Sequence, residues 1–242
     1  KSNPKSVEAM REFAQLEFYA AYLDYNDVMK LTEEMVAFVA QEVTGKTQIM
    51  YGGNQIELAP PWRRVTMREV IRQYSEIDYA EHPDATSLRQ AILSIGGHAP
   101  ENATWGKLVD GLLGDYVEPR LIQPTFVTDY PRDISPLAKR KPDDPTHVER
   151  FEFFIGGLEC GNAFSELNDP LDQKARFVEM AQLYAADDEE AHPMDEDYLN
   201  AMSYGMPPCG GFGTGVDRLT MLLTDKDTIR EVVLFPHLRS RE

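Results

Sequence analysis

Acidic side chains recur on two predicted strands in the second half of the chain. Residues 150–168 read RFEFFIGGLECGNAFSELN, in which a glycine pair predicts a turn between two strands. Strand alternation places Asn162 and Glu166 on one face, with Glu152 on the preceding strand and Glu159 just past the turn. Carboxylates are costly to bury unless they meet a cation, so this pattern predicts a metal ion, a ligand ammonium group or an arginine nearby. The alternative is a face that is simply exposed to water.

A glycine-rich segment follows at residues 210–218, GGFGTGVDR. Its glycines let the backbone approach a ligand closely. Arg218 comes in the first turn of the next predicted helix, and a guanidinium suits bidentate binding of phosphate or carboxylate. The segment is neither a Walker loop nor a dinucleotide fingerprint, because it lacks GK[ST] and a surrounding βαβ unit. The alternative is a tight structural strand with an ion pair between Arg218 and an aspartate.

The third candidate is the strand face formed by Phe13, Gln15, Glu17 and Tyr19. An acid beside a phenol suits an ammonium ligand, through charge and hydrogen bonding. An ordinary amphipathic strand is the alternative, and taken alone this face favours it.

These residues need a sheet with helices packed on it. Strands are predicted at 12–22, Gln55–Leu58, Thr125–Asp129, twice within 150–168, in the first part of 210–224, and at Ile229–Phe235. Helices are predicted at Asp24–Val43, Met67–Tyr74, Ser87–Ile95, Trp105–Leu113, 169–186, Asp195–Tyr204 and the end of 210–224. The pattern predicts the α+β class, with a mostly antiparallel sheet and a helical insertion at about residues 75–120.

Composition limits the classes of protein. The 242 residues carry a net charge of −17, which argues against a basic nucleic-acid-binding module or a cationic membrane-surface helix. No apolar run approaches the length of a membrane-spanning helix, and no signal peptide is recognised. Two cysteines form no disulfide framework, so we expect a reducing, cytoplasmic compartment.

Four stretches together resemble the catalytic domain of the class II lysyl-tRNA synthetases. They are EFAQLEFYAAYLDYNDVMKLTEE (12–34), FVTDYPRDISPLAK (126–139), RFEFFIGGLECGNAFSELNDP (150–170) and GGFGTGVDRLTMLLTDKDTIREVVLFPHLR (210–239), in the family's order. The last resembles class II motif 3, and the first resembles the second half of motif 2. The aspartyl and asparaginyl enzymes share the style of motif 3, whereas NAFSELNDP resembles the lysine enzyme specifically.

The resemblance implies a role for each candidate residue. It implies a lysine site of Glu17, Tyr19, Asn162 and Glu166, in which Glu166 and Tyr19 receive the ε-ammonium group. It implies an ATP site of Phe13, Glu152, Glu159, Gly215 and Arg218. There Phe13 stacks on adenine, Glu152 and Glu159 hold Mg²⁺, and Arg218 acts in catalysis by holding the γ-phosphate.

The activity implied is that of a lysine–tRNA ligase. Such an enzyme activates lysine with ATP to lysyl-adenylate and transfers the lysyl group to the 3′ end of tRNA(Lys). The family resemblance also implies a homodimer in the cytoplasm. Residues 1–242 then form one incomplete catalytic domain, and the family's N-terminal anticodon-binding domain lies outside this sequence.

The sequence departs from the family pattern between Arg11 and Glu12. Residues 1–11 resemble the start of the catalytic domain, whereas Glu12 resembles the middle of motif 2, so motif 1 and the motif 2 arginine have no counterpart. Three explanations are open: an omitted segment at this junction, a truncated or engineered form, or a natural relative that has lost activation. The last would bind lysine or ATP without activating lysine. A sister ligase for another amino acid is a further alternative.

Overall fold

A computed structural model describes residues 13–183 and 194–236. Its strands are β1 (Gln15–Ala21), β2 (Gln48–Tyr51), β3 (Asn54–Glu57), β4 (Arg63–Thr66), β5 (Thr125–Pro131), β6 (His147–Ile155), β7 (Leu158–Ser165) and β8 (Cys209–Gly215). Its α-helices are α1 (Tyr25–Thr44), α2 (Met67–Ser75), α3 (Ala85–Ser94), α4 (Trp105–Leu112), α5 (Pro170–Leu183), α6 (Glu196–Ser203) and α7 (Val216–Thr224). None of these described helices is long and apolar enough to cross a membrane.

Six strands form one mixed sheet in the order β1-β8-β7-β6-β5-β4, while β2 and β3 form a separate hairpin. All neighbours in the large sheet are antiparallel except β4 and β5, which are parallel. The predicted α+β class is confirmed. Strand β4 was not predicted, because its sequence RRVT has no apolar alternation. A parallel pair needs a long crossover, and the helices α2, α3 and α4 provide it.

The two faces of the sheet are covered differently. On one face, Val28 and Val36 of α1 pack with Phe153 of β6 and Phe212 of β8. On the other face, helices α2 to α4 bury the half of the sheet around Phe154. Each such buried side chain contributes roughly 1.5–3 kcal/mol through removal from water. The remaining half of that second face, on β1, β8 and β7, is left open to a cavity.

Helix α1 begins and ends where its sequence predicts. The Asp24 side chain accepts hydrogen bonds from Asn26 N at 2.8 Å and Asp27 N at 3.0 Å, and the Asp27 side chain accepts one from Asp24 N at 3.3 Å. Gly45 ends the helix with φ of 77°. The helix packs tightly beneath β8, since a Cβ on Gly210 would lie 2.6 Å from Val28 Cγ2. This contact fixes the end of β8 next to the cavity.

The predicted strand Ile229–Phe235 is wrong. Ile229–Glu231 is a turn of 3₁₀ helix, and the amide nitrogens of Val232 and Val233 both donate to Ile229 O at 3.1 Å. These local bonds satisfy the backbone, so the apolar run pairs with no described strand. The junction between Arg11 and Glu12, the predicted helix end near residue 186 and most of the acidic segment 187–197 lie outside the described residues.

Candidate functional site

The open half of the sheet carries a trough with glycine on its floor. Two rows of cross-strand neighbours pass over β1, β8 and β7: Glu17, Gly213 and Asn162 in one, and Tyr19, Gly211 and Phe164 in the next. Directly opposed residues in a sheet share a face. Because the middle residue of each row has no side chain, the flanking side chains enclose a cavity of about 350 Å³.

The structure brings nearly all of the predicted site residues together. Those that line the cavity are Phe13, Glu17, Tyr19, Glu159, Asn162, Glu166, Gly215 and Arg218. Glu152 is the exception. The three separate sequence patterns therefore meet at one place, as the resemblance implied.

Glu166 is the most unusual group in this cavity. It is only 4 % exposed, so the alternative of a water-exposed face is wrong for this residue. Its Oε1 is buried and has no hydrogen-bond partner among the described residues. Burial raises the pKa of the Glu166 carboxyl to about 8. Tyr19 lies beside it, and the pKa of that phenol is raised by burial and by the charges of Glu166 and Glu17. An ammonium group would supply the missing partner.

Glu166 also predicts how the stability of the unliganded protein depends on pH. A carboxyl whose pKa is higher in the folded state than in the unfolded chain binds more protons when folded. The contribution of protonated Glu166 to the stability of the folded state is therefore complete at pH values below its ordinary pKa of 4.5. It is lost as the pH rises through about 8. Chemical denaturation at a series of pH values measures this loss. We expect the free energy of unfolding to decline as the pH rises, and we expect Glu166→Gln to reduce that decline by on the order of 4 kcal/mol. Glu34→Gln, an exposed change on α1, should leave the decline intact; equal pH profiles for all three proteins would refute this assignment.

Glu159 reaches the same face through a β-bulge. Simple alternation would place Glu159 and Asn162 on opposite faces, because they are three positions apart. In the structure Gly161 pairs with Phe153 while Glu159 pairs with the next residue of β6, which leaves Cys160 as the extra residue. The bulge therefore turns the Glu159 side chain into the cavity.

Two side chains hold the bulge in place. The Thr214 hydroxyl donates to Cys160 O at 2.8 Å in a buried position. The Arg218 guanidinium donates to Glu159 O, and its Nη1 lies 3.3 Å from Glu159 Oε2. The ion-pair partner of Arg218 is thus a glutamate, whereas the alternative from the sequence had been an aspartate.

We expect Thr214→Val to destabilise the protein by about 1–3 kcal/mol, because it leaves the buried Cys160 carbonyl without a donor. Valine has nearly the same shape as threonine, so the loss reports mainly the hydrogen bond. Thr220→Val on α7 is the matched control, since the Thr220 hydroxyl bonds only to the helix carbonyl of Val216. The measurement is the free energy of unfolding in urea. Similar losses in both variants would contradict the role given to Thr214.

Phe13 lies at the rim of the cavity because the residue after it is fixed from two sides. Ala14 N donates to Asp217 Oδ2 at 2.8 Å, and Val216 N donates to Ala14 O at 2.9 Å. Phe13 is 58 % exposed and lines the same cavity as Arg218. An exposed aromatic ring can stack on a planar heterocycle, and a guanidinium in the same cavity can bind an anionic group attached to it.

Glu152 lies on the same sheet face as Asn162, its direct neighbour on β7, but it does not line the cavity. Its Oε2 accepts a hydrogen bond from the Tyr130 hydroxyl at 2.8 Å, and its Oε1 accepts one from Arg150 Nη2 at 2.7 Å. Burial raises the pKa of Glu152, and the positive charge of Arg150 opposes that rise. Across the described residues there is no group of three or more His, Cys, Asp or Glu side chains that could hold a metal ion.

Comparison with known proteins decides the family. A family model described as "tRNA synthetases class II (D, K and N)" matches residues 4–239. The chain belongs to this family. D, K and N are the one-letter codes of aspartate, lysine and asparagine, so the family alone leaves the choice among three amino acids.

Curated relatives that are about half identical to the chain are named lysine–tRNA ligases. A protein named lysine–tRNA ligase from Chloroflexus aurantiacus is 52% identical over 230 residues, which cover 95% of this chain and 47% of that protein. Proteins of the same name from Pelotomaculum thermopropionicum and a Thermoanaerobacter species are 52% and 50% identical, over 96% and 95% of this chain and 46% of each protein. The chain thus spans about half the length of the curated relatives it matches.

Several residues that line the cavity were not predicted from sequence. Thr214 and Asp217 line the cavity from within the glycine-rich segment, and Ile229 lines it from the segment predicted as a strand. The first two were visible as polar residues flanking Gly215, although nothing in the pattern showed which groups they bind. The sequence did not predict Ile229 as a lining residue. Its position depends on the 3₁₀ turn, and the apolar run had indicated a strand instead.

Proposed function

We propose that this chain carries the amino-acid-activating site of a lysine–tRNA ligase. The single observation that carries the proposal is the Glu166 carboxyl, which is buried, has an unpartnered Oε1 and faces a cavity. The lysine ε-ammonium group would pair with Glu166, and the Tyr19 phenol would accept a further hydrogen bond from it. Glu17 and Asn162 would form polar walls for the rest of the amino acid.

ATP would occupy the other end of the cavity. Phe13 offers its exposed ring to the adenine base, and Gly215 leaves the backbone open there. Arg218 would hold the γ-phosphate through its planar guanidinium, which suits phosphate oxygens. On this proposal Arg218 acts in catalysis by neutralising charge on the departing phosphates.

The reaction itself needs no protein nucleophile. A carboxylate oxygen of lysine attacks the α-phosphorus of ATP and forms the lysyl-adenylate bond. The bond between that phosphorus and the oxygen bridging to the β-phosphate breaks, and pyrophosphate leaves with its electron pair. The chain's contribution is to hold the two substrates together in a fixed orientation.

Mg²⁺ fits the residues present as a partner of the nucleotide. Magnesium in such sites takes one or two carboxylates and completes its ligands with phosphate oxygens and water. Glu159 lines the cavity, and Glu152 lies beside Asn162 on the same sheet face, where the negative charge of Glu159 contributes to its raised pKa. These two residues would hold the ion, which when bound would neutralise the phosphate charge.

The wider assignment is also part of this proposal. The lysyl group would pass to the 3′ end of tRNA(Lys), in a homodimeric cytoplasmic enzyme. Both cysteines are unpaired, which suits a reducing compartment. The segment 75–120 would be a helical insertion in one catalytic domain, since it lies within the crossover from β4 to β5.

Lysine-dependent exchange of pyrophosphate into ATP tests the proposal, together with calorimetric titration of lysine into the 242-residue chain. We expect lysine to bind and aspartate not to bind, because the carboxylates of the cavity repel a second acid. Binding without exchange would favour the non-catalytic alternative. Exchange with aspartate or asparagine instead of lysine would overturn the proposal.

A further inference from the structure

Gly211 occupies the position where any side chain would collide with the buried carboxyl. A Cβ built on Gly211 would lie 1.8 Å from Glu166 Oε1 and 2.9 Å from Glu166 Cδ. It would also lie 3.0 Å from Tyr19 Cε1. Carbon and oxygen atoms that are not bonded do not approach to 1.8 Å, so the carboxyl group would have to move.

Neighbouring glycines of β8 have different surroundings. A Cβ on Gly213 would meet nothing closer than Glu17 Cγ at 3.8 Å, and one on Gly215 would first meet Arg218 Cγ at 3.6 Å. Both distances are ordinary van der Waals contacts. The backbone of Gly211 does not adopt the left-handed conformation that favours glycine. Glycine is therefore needed at position 211 to leave space above the strand, and the backbone conformation of the strand does not require it.

The backbone that carries the Glu166 carboxyl is held in place by its neighbours. The residue is fixed at both edges, because its amide nitrogen donates to Cys209 O at 2.8 Å and its backbone forms an isolated bridge with Ala138. Its side chain is buried, so little free space surrounds the carboxyl group. A group that fills the space at Gly211 would displace the carboxyl from the position in which Glu166 lines the cavity.

We propose that Gly211 is a specificity-determining residue, because its missing side chain lets the Glu166 carboxyl face the cavity and select ligands with a terminal ammonium group. The identity of that ligand as lysine rests on the proposed function above. The steric relation between the two residues is independent of it.

The test is a double-substitution cycle on the 242-residue chain, with lysine affinity measured by calorimetry. We expect Gly211→Ala to weaken lysine binding at least about tenfold. Glu166→Asp alone should also weaken binding, because the shorter carboxylate recedes from the ligand. In the Gly211→Ala background the same change should strengthen binding, since the shorter side chain leaves room for the added methyl group. Gly111→Ala on α4 is the control, because nothing lies within 4 Å of a Cβ there.

The proposal would be overturned if the losses of lysine affinity in the two single variants simply added in the double variant. It would also be overturned if Gly211→Ala bound lysine as tightly as the unmodified chain. Should the unmodified chain bind no lysine, the proposed function fails while the Gly211 proposal is still decided. In that case the pKa of Glu166 is followed by carbon-13 NMR of labelled glutamate. We expect Gly211→Ala to move that pKa and Gly111→Ala to leave it; an unchanged Glu166 pKa in Gly211→Ala would overturn the proposal. If Gly211→Ala does not fold, we expect the double variant Gly211→Ala with Glu166→Asp to fold better. A double variant that folds no better would also overturn the proposal.

Discussion

Glu166→Gln is expected to weaken lysine binding by roughly 100-fold or more. Removing one partner of a buried ion pair costs about 3–5 kcal/mol, because the remaining charge is left uncompensated in a site that excludes water. Glutamine has almost the same size, so the cavity keeps its shape and the change removes only the charge. Calorimetric titration with lysine measures the effect directly.

Two controls separate lost recognition from lost folding. Above pH 8 the variant should be at least as stable as the unmodified chain, because it no longer carries a carboxylate that is unfavourable to bury. Glu34→Gln makes the same chemical change on the exposed side of α1 and should leave lysine binding unaltered. Retention of lysine affinity in Glu166→Gln would show that another group receives the ammonium.

Arg218→Ala is expected to weaken ATP binding by about 10- to 100-fold. A hydrogen bond to a charged group contributes about 1.5–3 kcal/mol, and a guanidinium forms such bonds in pairs with phosphate oxygens. Arg218→Lys should recover only part of the loss, because an ammonium group keeps the charge without the planar pair of donors. Calorimetric titration with ATP in the presence of Mg²⁺ gives the ATP affinities of both variants.

Lysine binding provides the internal control for Arg218. The residue contacts the bulge at Glu159, whereas the ammonium site lies at the other end of the trough near Tyr19. We therefore expect Arg218→Lys to keep the affinity for lysine alone. Arg63→Ala on β4, where the side chain bonds to Gln73, should change neither affinity. Unaltered ATP binding in Arg218→Ala would remove the nucleotide from this end of the cavity.

Sequence patterns predicted the structure correctly where a segment follows one regular strand or helix pattern. Alternation along residues 162–166 placed Asn162 and Glu166 on one face, and the structure confirms that both line the cavity. The capping aspartate Asp24 and the stop at Gly45 fixed the bounds of α1 nearly to the residue. These features depend on neighbours within a few positions, which is the range that a sequence pattern reports.

Other features depend on distant partners. The bulge that turns Glu159 inward needs the Thr214 hydroxyl, which is 54 positions away. Glu152 accepts a hydrogen bond from the phenol of Tyr130 on the adjacent strand, and its own segment gave no sign of this partner. The reason for glycine at position 211 appears only when Glu166 is seen above it.

The net charge acquires a different meaning from the structure. Three of the acids that made the chain look unsuited to nucleic acid line one cavity: Glu17, Glu159 and Glu166. Two arginines between β5 and β6 are neutralised locally, since Arg132 pairs with Glu179 and Arg140 with Asp172, both at 2.8 Å. The net charge is therefore partly a property of the cavity, and it says little about a tRNA partner.

The most direct test of lysine recognition by Glu166 is the number of protons released when lysine binds. At pH 7 a carboxyl with a pKa of about 8 is mostly protonated, and it must ionise to pair with an ammonium group. Calorimetry in buffers of different ionisation enthalpy should show close to one proton released per lysine at pH 7 and almost none above pH 9. Lysine binding at pH 7 without proton release would contradict the central claim.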